Sequence, residues 1–509
     1  MVWAIAVSPL VMVLGMITGL RRPAHWSAVA GVALAAVLIW WLPDFTLPGD
    51  VLASGAGGAG LLVLNAAAVM LPGVYLSQVL TRREVHRSLQ EWVRALPLPG
   101  PAKIALVVAG IAPTVEALTG FGVSLLVTVP VLLALAPPAT ALRQAMLGMN
   151  IMPWGTLGLA TVIGAALTDT QTATLGTATA VTSSLVFPLV TVWAALLARP
   201  EHRLRTAAVA AAAGGALSLG LLGLNRAGVV QPAGVLAGLL TTTVGLVLCA
   251  ARRSRAQEAV RRSRAQERWS AGLPRSGVGS GAESAGRLLP PRAVLSAYGL
   301  VLAGIALLRA AKAAGVPSLE LHAGNASFAL LSSPGLPLLA AALLLDRGRP
   351  HGGDARAALT RVGRPLLALT GFVALGRLMA DSGMIGELGE AVAGAPPLVT
   401  ALAAPALGML SGFITGSNVG GNALMMPLQG RLAPSGEGLD TWFAALQNSA
   451  AGHTVFTSLP MIMLILAVAG DRAKSAGVSE HVLLRFGLRV AAAVYAALAV
   501  TAIALVTFA

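Results

Sequence analysis

Two long apolar runs of this chain are each interrupted near the middle by a threonine–glycine pair. The first run covers residues 111–130 and contains Glu116 and Thr119–Gly120. The second covers residues 410–429 and contains Thr415–Gly416. In lipid, a backbone can open only where protein or a water-filled site satisfies the freed amide and carbonyl groups. Two such breaks in corresponding positions of two halves indicate a secondary transporter with its substrate site at the breaks.

The composition predicts an all-α polytopic membrane protein. Of the 509 residues, 56% are apolar and only 11% are charged, whereas a soluble domain has about 25% charged residues. The net charge of +15 comes mostly from arginines that cluster in a few loops. This distribution is typical of a signal for membrane orientation and not of a nucleic-acid-binding face.

Windows of about 20 apolar residues predict about twelve membrane helices. Two further stretches, 104–137 and 396–430, are too long for one helix and short for two crossings, so we predict re-entrant hairpins there. These boundaries divide the chain into an N-terminal half, residues 1–250, and a C-terminal half, residues 293–509. The predicted crossings lie near residues 2–20, 26–43, 58–79, 144–167, 172–198, 206–223, 229–250, 293–310, 326–345, 365–380, 441–467 and 483–507.

Charge then predicts the orientation. Arginine-rich loops fall on one side of this topology and most acidic loop residues on the other, so the basic side should be cytoplasmic and both termini outside the cell membrane. The first hairpin then enters from the cytoplasm and the second from the exterior, as two inverted repeats require. Residues 251–292 contain RRSRAQE twice and are predicted to be a basic cytoplasmic linker. Attraction of this linker to anionic lipid headgroups is the alternative interpretation.

The two halves continue similarly after their breaks. Pro130 is followed by a helix with Asn150, and Pro427 is followed by a helix with Asn448. With VEALTGFG at 115–122 and FITGSNVGGNALMMPLQ at 413–429, the chain resembles the lactate permease family. The resemblance implies a carrier of L-lactate, D-lactate and glycolate that is coupled to protons.

Three departures from the family pattern bear on the substrate. A proline expected soon after Gly122 is absent, and Asn418 stands where the family has an acidic residue. The sequence Gly452–His453–Thr454 replaces a Gly-Lys-Met segment. A carrier of another organic anion, possibly coupled to sodium, is therefore the alternative.

A small carboxylate held in mid-membrane needs hydrogen-bond donors. Helix N-termini at the breaks would supply N–H groups and the positive end of a dipole, and glycines would let the backbone approach the ligand. The alternative is that the polar groups only satisfy the broken backbone, and that Arg377 pairs with Asp381. The predicted substrate-binding residues are Thr119, Gly120, Gly122, Ser124, Asn150, Arg377, Thr415, Gly416, Ser417, Asn418, Asn422 and Asn448.

Glu116 is the predicted proton carrier. Moving one anion inward against an inside-negative potential costs about 2.3 kcal/mol per 100 mV, and cotransport of one proton removes that cost. An ionised acid at the bilayer centre costs about 2.5–3.5 kcal/mol, which favours the neutral form. The alternative role for Glu116 is to cap the broken backbone. His453 is predicted to assist coupling, with helix packing as the alternative.

An enzyme is disfavoured by the sequence. The seven histidines show no HExxH spacing, and the chain has neither a G-x-S-x-G motif around a plausible nucleophile nor a phosphate-binding P-loop. We therefore expect no metal and no cofactor. A channel is also disfavoured, because broken helices in two halves suit alternating access better.

Overall fold

The structure is a computed structural model that describes the whole chain except residues 1, 121, 249, 251–261, 263–288, 325, 393, 435, 437 and 509. The predicted linker at 251–292 therefore lies almost entirely outside the described residues.

The described residues of the N-terminal half form helices that are joined by turns and short loops. A π-helical turn, Val107–Ile111, joins α6 to α7, and a 3₁₀ turn, Met152–Trp154, precedes α10. The helices are α1 Val2–Ala6, α2 Ser8–Thr18, α3 Ala24–Trp41, α4 Gly49–Arg82, α5 Val85–Ala95, α6 Gly100–Leu106, α7 Ala112–Thr119, α8 Ser124–Leu133, α9 Pro138–Leu147, α10 Gly155–Leu167, α11 Thr172–Thr182, α12 Val186–Leu196, α13 Arg203–Arg226 and α14 Ala233–Leu248.

The C-terminal half adds one small antiparallel hairpin to its helices. Strand β1, Glu320–Ala323, pairs with β2, Ala326–Ala329. Two 3₁₀ turns, Leu330–Ser332 and Val455–Thr457, precede α16 and α22. The helices are α15 Arg292–Ala313, α16 Gly335–Leu345, α17 Gly352–Asp381, α18 Met384–Val392, α19 Pro397–Thr415, α20 Asn418–Leu432, α21 Leu439–Gly452, α22 Leu459–Ala469, α23 Asp471–Ser475 and α24 Glu480–Phe508.

The predicted fold class is confirmed. Among the described residues, eight helices are long and apolar enough to cross a membrane, or up to eleven when three bent pairs are counted as spans. The bent pairs are α9–α10, α11–α12 and α21–α22, with bends of 57°, 45° and 42°. The chain is thus an all-α polytopic membrane protein. The arrangement of its halves as inverted repeats stays a prediction.

Two of the predicted crossings are wrong in detail. The crossing near 326–345 begins as strand β2, and only Gly335–Leu345 is α-helical. The crossing near 2–20 is divided into α1 and α2 at Val7. Proline provides a local reason at both sites, because Pro334 and Pro9 lie beside the helix starts, where proline is best tolerated.

Small residues bring the central helices together. A β-carbon added to Gly371 of α17 would lie 2.6 Å from that of Ala28 in α3, and one added to Gly376 would lie 2.5 Å from the carbonyl oxygen of Ala423 in α20. Close backbone approach of this kind is how membrane helices gain packing energy without a hydrophobic drive between them. Helix α17 therefore lies between α3 and α20, with α4 also packed against it.

An ion cluster ties the end of α4 to α16 and α17. Arg82 contacts Asp346 at 2.6 Å and Asp354 at 2.9 Å, and Arg83 lies 3.5 Å from Asp346. The Asp346 side chain is only 1% exposed, so its charge depends on these arginines for compensation.

Replacing Arg82 by glutamine should lower the thermal unfolding midpoint of the purified protein by several degrees, because the buried Asp346 carboxylate loses its shortest ion pair. The matched control is Arg87→Gln, which removes a 67% exposed side chain paired only with exposed Glu84 and Glu91. Surface pairs of this type contribute little, so the control should unfold like the original protein. Equal losses in the two variants would show that the cluster adds no specific stability.

Candidate functional site

The first break separates α7 from α8 and is fully buried where it is described. Helix α7 ends at Gly120, which has φ = 70°, and Gly122 has φ = 73°. This left-handed region favours glycine. A β-carbon on Gly120 would also overlap Thr156 Oγ1. Both glycines are therefore required by backbone geometry and by close approach.

Glu116 closes this break as a cap on the N-terminus of α8. Its Oε1 accepts the N–H of Gly122 at 3.0 Å, and its Oε2 accepts the N–H of Ser124 at 3.2 Å. The Ser124 hydroxyl donates to the same Oε2 at 2.6 Å. The Glu116 side chain is completely buried. Three donors converging on both carboxylate oxygens, at the positive end of a helix, form an arrangement suited to an anion.

The second break separates α19 from α20 and is partly exposed at residues 415–417. Gly416 has φ = 63°, and the Ser417 hydroxyl accepts the N–H of Gly420 at 3.2 Å. The N–H groups of Asn418 and Val419 make no hydrogen bond to any described residue. The N-terminus of α20 therefore has two N–H groups without a partner among the described residues, whereas N–H groups at the N-terminus of α8 are hydrogen-bonded to Glu116.

Each break ends an apolar helical span of membrane length, Gly100–Thr119 or Pro397–Thr415, and is followed by a short helix. α8 has 10 residues and α20 has 15, which correspond to about 15 and 22 Å. The hydrocarbon core is about 30 Å thick. The break positions agree with those expected within 104–137 and 396–430, and the short second helices suit hairpins that re-enter.

Each break packs against the bent helix that follows it in its own half. Gly120 contacts Thr156, two residues after the 3₁₀ turn Met152–Trp154. A β-carbon on Gly416 would lie 3.2 Å from Ser458 Oγ, directly after the turn Val455–Thr457. The two halves therefore repeat the same local packing.

The bend in the first half contains three consecutive left-handed residues. Thr156, Leu157 and Gly158 have φ values of 52°, 55° and 71°. Only glycine adopts this conformation freely, so Thr156 and Leu157 are strained, and such residues cluster at functional sites. Thr156 is the residue that contacts Gly120.

Asn448 of α21 joins the two halves. Its Oδ1 accepts the amide N–H groups of Asn418 at 3.0 Å and Asn422 at 2.8 Å. Its Nδ2 donates to the hydroxyls of Thr161 at 2.9 Å and Thr179 at 3.1 Å. Asn422 also donates to the carbonyl of Ala160 at 3.1 Å. The amide of Asn448 thus connects α20 and α21 to α10 and α11.

Three asparagines of the predicted site retain acceptor oxygens. The Oδ1 atoms of Asn150, Asn418 and Asn422 are buried and have no hydrogen-bond partner among the described residues. Buried polar atoms are normally paired, so each unpaired one calls for an explanation. A ligand that carries a hydroxyl donor would satisfy such an acceptor.

The predicted threonines of both breaks bond within their own helices. Thr119 Oγ1 donates to the carbonyl of Val115 at 2.6 Å, and Thr415 Oγ1 lies 2.8 Å from that of Ser411. Thr415 Oγ1 also contacts the backbone of the break, at 2.8 Å from the Ser417 carbonyl and 3.3 Å from the Ser417 N–H. The structure therefore places these hydroxyls in backbone hydrogen bonds.

His453 and Arg377 also have protein partners. His453 Nε2 lies 2.9 Å from the Ser183 hydroxyl of the other half, and Phe187 packs edge-on against the imidazole. Arg377 Nε donates to Asp381 at 2.8 Å, the alternative that the sequence offered. This pair packs on Gly55 of α4.

Sequence reasoning missed Thr161 and Thr179, which hold Asn448. The available signal was polar side chains within apolar helices, since such residues at membrane depth need partners. No group of three or more metal-ligating side chains is present within the described part of the chain.

Part of the chain matches the sequence model of a known protein family. Residues 315–508 match the family model described as L-lactate permease. The matched region contains the second break and the helix of Asn448, whereas the first break precedes it. No curated protein sequence shows a match to the chain. Residues 315–508 therefore carry the sequence pattern of the L-lactate permease family, and the chain is consistent with a member of that family.

Proposed function

We propose that this protein is a secondary transporter that carries a small monocarboxylate, such as L-lactate or glycolate, together with a proton. It works in the cell membrane with both termini outside. The observation that carries this proposal is the Glu116 carboxylate bound to Gly122 and Ser124 at the N-terminus of α8. The first break is a carboxylate-binding site already filled by the protein's own carboxylate.

This geometry supplies a mechanism for coupling. Protonated Glu116 has one hydroxyl donor and less acceptor capacity than the carboxylate. Its hold on the Gly122 and Ser124 donors then weakens, and these donors become available to the carboxylate of the substrate. Loss of the proton returns Glu116 to the same donors and displaces the substrate. Proton and substrate thus bind together, because the proton neutralises the Glu116 carboxylate and the substrate carboxylate takes its place.

The coupled cycle is electroneutral. The substrate brings one negative charge and Glu116 takes up one proton, so the membrane potential does not oppose entry.

The second break supplies donors of its own. Helix α20 offers the N–H groups of Asn418 and Val419 beside a partly exposed surface. The acceptor oxygens of Asn418 and Asn422 suit the hydroxyl of a 2-hydroxy acid. This donor and acceptor set favours lactate or glycolate over a carboxylate without a hydroxyl group.

The test is uptake of labelled L-lactate into proteoliposomes with an imposed inward proton gradient. We expect gradient-dependent uptake that glycolate inhibits strongly, pyruvate less and succinate least. Two controls are needed. The first is liposomes without protein, and the second is proteoliposomes whose pH difference has been collapsed. No uptake by verified, folded protein would exclude lactate as the substrate.

A sodium-coupled carrier of another organic anion is the second candidate. The unpaired oxygens of Asn150, Asn418 and Asn422 favour it, because hard cations bind oxygen ligands. Uptake driven by an inward sodium gradient at equal pH would establish this candidate and refute coupling through Glu116.

A further inference from the structure

A basic cavity lies apart from the breaks, between α9, α12 and α24. Its volume is about 480 Å³. The lining includes Arg143 of α9, Trp193 of α12, and His481, Arg485, Phe486 and Arg489 of α24. None of these residues belongs to the proposed substrate site.

The positive charge of this cavity lacks a counter-charge in the described chain. His481, Arg485 and Arg489 follow one another at four-residue spacing, so they share one face of α24. Arg143 adds a charge from α9. None of the three arginines forms an ion pair with a described carboxylate, and Arg143 Nε is buried without a hydrogen-bond partner. Because like charges at this spacing repel, the arrangement is stabilised when an anion joins it.

An aromatic pair holds one arginine in place. The guanidinium carbon of Arg143 lies 5.6 Å from the centre of the Phe486 ring, and Trp193 meets the same ring at 6.0 Å. Stacking on an aromatic face leaves the in-plane N–H groups of arginine free to bind an oxyanion with two hydrogen bonds. Arg143 is therefore oriented before a ligand arrives.

The cavity lies at the edge of the membrane. α24 has 29 residues, about 44 Å, against a hydrocarbon core of about 30 Å. Its residues 490–508 are uncharged and suffice for the core, so Arg489 marks the boundary and His481 lies beyond it. Trp193 is also a residue type favoured at this boundary. The arginine distribution assigns this end of α24 to the cytoplasm, where anionic lipids are concentrated.

We propose that this cavity binds a phosphate group, either that of an anionic membrane lipid or a free phosphate from the aqueous side. Three arginines match the charge and geometry of phosphate better than those of a single carboxylate. The site also touches the transport machinery, because a β-carbon on Gly487 would lie 3.0 Å from Met146 of α9 and 3.1 Å from Thr457 beside the second bend. An occupant would hold α9, α12 and α24 together around that bend.

The test compares binding by the full chain and by the double variant Arg143→Gln/Arg485→Gln. Purified protein is titrated with dioleoylphosphatidylglycerol, with dioleoylphosphatidylcholine as the zwitterionic reference, and separately with inorganic phosphate against chloride at equal ionic strength. Native mass spectrometry counts the bound lipid, and thermal unfolding reports stabilisation by phosphate. The double variant should bind its ligand at least about tenfold more weakly, because it lacks two of the basic side chains that attract the anionic group.

A matched control removes the same charge elsewhere on the predicted cytoplasmic side. Arg349→Gln/Arg356→Gln alters two exposed arginines outside the cavity and should bind like the original protein. If the cavity variant loses only the binding of phosphatidylglycerol, the site is assigned to lipid. If it loses only the stabilisation by inorganic phosphate, the site is assigned to free phosphate. Equal losses in both double variants, or no preference of the original protein for either phosphate probe, would overturn the proposal. Arg489→Gln provides the same comparison if the double variant does not fold.

Discussion

Replacing Glu116 by glutamine should abolish proton-driven accumulation of L-lactate while exchange of internal for external substrate continues. Glutamine fills the same space but carries no proton, so the substrate anion would have to move alone. Against 100 mV, inside negative, this costs about 2.3 kcal/mol, which lowers the accumulation ratio by about 50-fold. Exchange needs no net charge movement, and a neutral residue 116 leaves the donors of Gly122 and Ser124 to the substrate.

Two measurements on the same proteoliposomes separate coupling from structure. Accumulation is measured under an inward proton gradient, and exchange is measured by counterflow without a gradient. Ser124→Ala is the matched control, because it removes the 2.6 Å hydroxyl donor and keeps both the carboxyl group and the two backbone donors. Because Ser124 is also a proposed substrate donor, this variant should bind L-lactate more weakly but still accumulate it under the proton gradient. Normal accumulation by Glu116→Gln would refute the assignment of Glu116 as proton carrier, and loss of both activities would leave it only the role of a cap.

Replacing Asn448 by alanine should destabilise the protein by about 3–6 kcal/mol, since each buried polar group that loses its partner costs about 1–3 kcal/mol. The substitution leaves the amides of Asn418 and Asn422 and the hydroxyls of Thr161 and Thr179 without this partner. The two hydroxyls can rotate toward other acceptors, so the four losses do not simply add. Thermal and denaturant unfolding of purified protein would measure the change.

Asn150→Ala is the matched control for this prediction. Asn150 is also a buried asparagine at a bent helix, yet its side chain makes one hydrogen bond, to the carbonyl of Leu147 at 3.0 Å. Its replacement should cost about 1 kcal/mol or less. If both variants lose the same stability, the connection between halves through Asn448 contributes nothing beyond an ordinary buried amide.

The positions of both breaks could be predicted from the sequence. A glycine after threonine inside an apolar run of membrane length has a physical meaning, because glycine adopts the positive φ found at Gly120 and Gly416 without strain. The capping role of Glu116 was also available as an alternative, since an acid four residues before the break lies within reach of the next helix. These inferences depend on short segments, where local sequence determines local structure.

Other features had no local signal. The left-handed conformation of Thr156 and Leu157 opposes the preference of both residue types. It occurs where Thr156 packs against Gly120, which lies far away in the sequence. Strand β2 lies in the run 326–345, whose composition is apolar enough for a crossing, and composition does not distinguish strand from helix. Asn448 and Thr161 are 287 residues apart in the chain, and a single sequence does not reveal such pairs.

The hydrogen bonds of Asn448 and Asn422 favour one kind of transport movement over another. A rocking motion that opened the interface between the halves would break the bonds to Thr161, Thr179 and Ala160, each at about 1–3 kcal/mol if left unpaired. A motion that carried both breaks as one rigid body past the remaining helices would keep every one of them. Under the proposed transport function, we therefore expect an elevator-like displacement, in which the bound ligand travels with its site across the membrane.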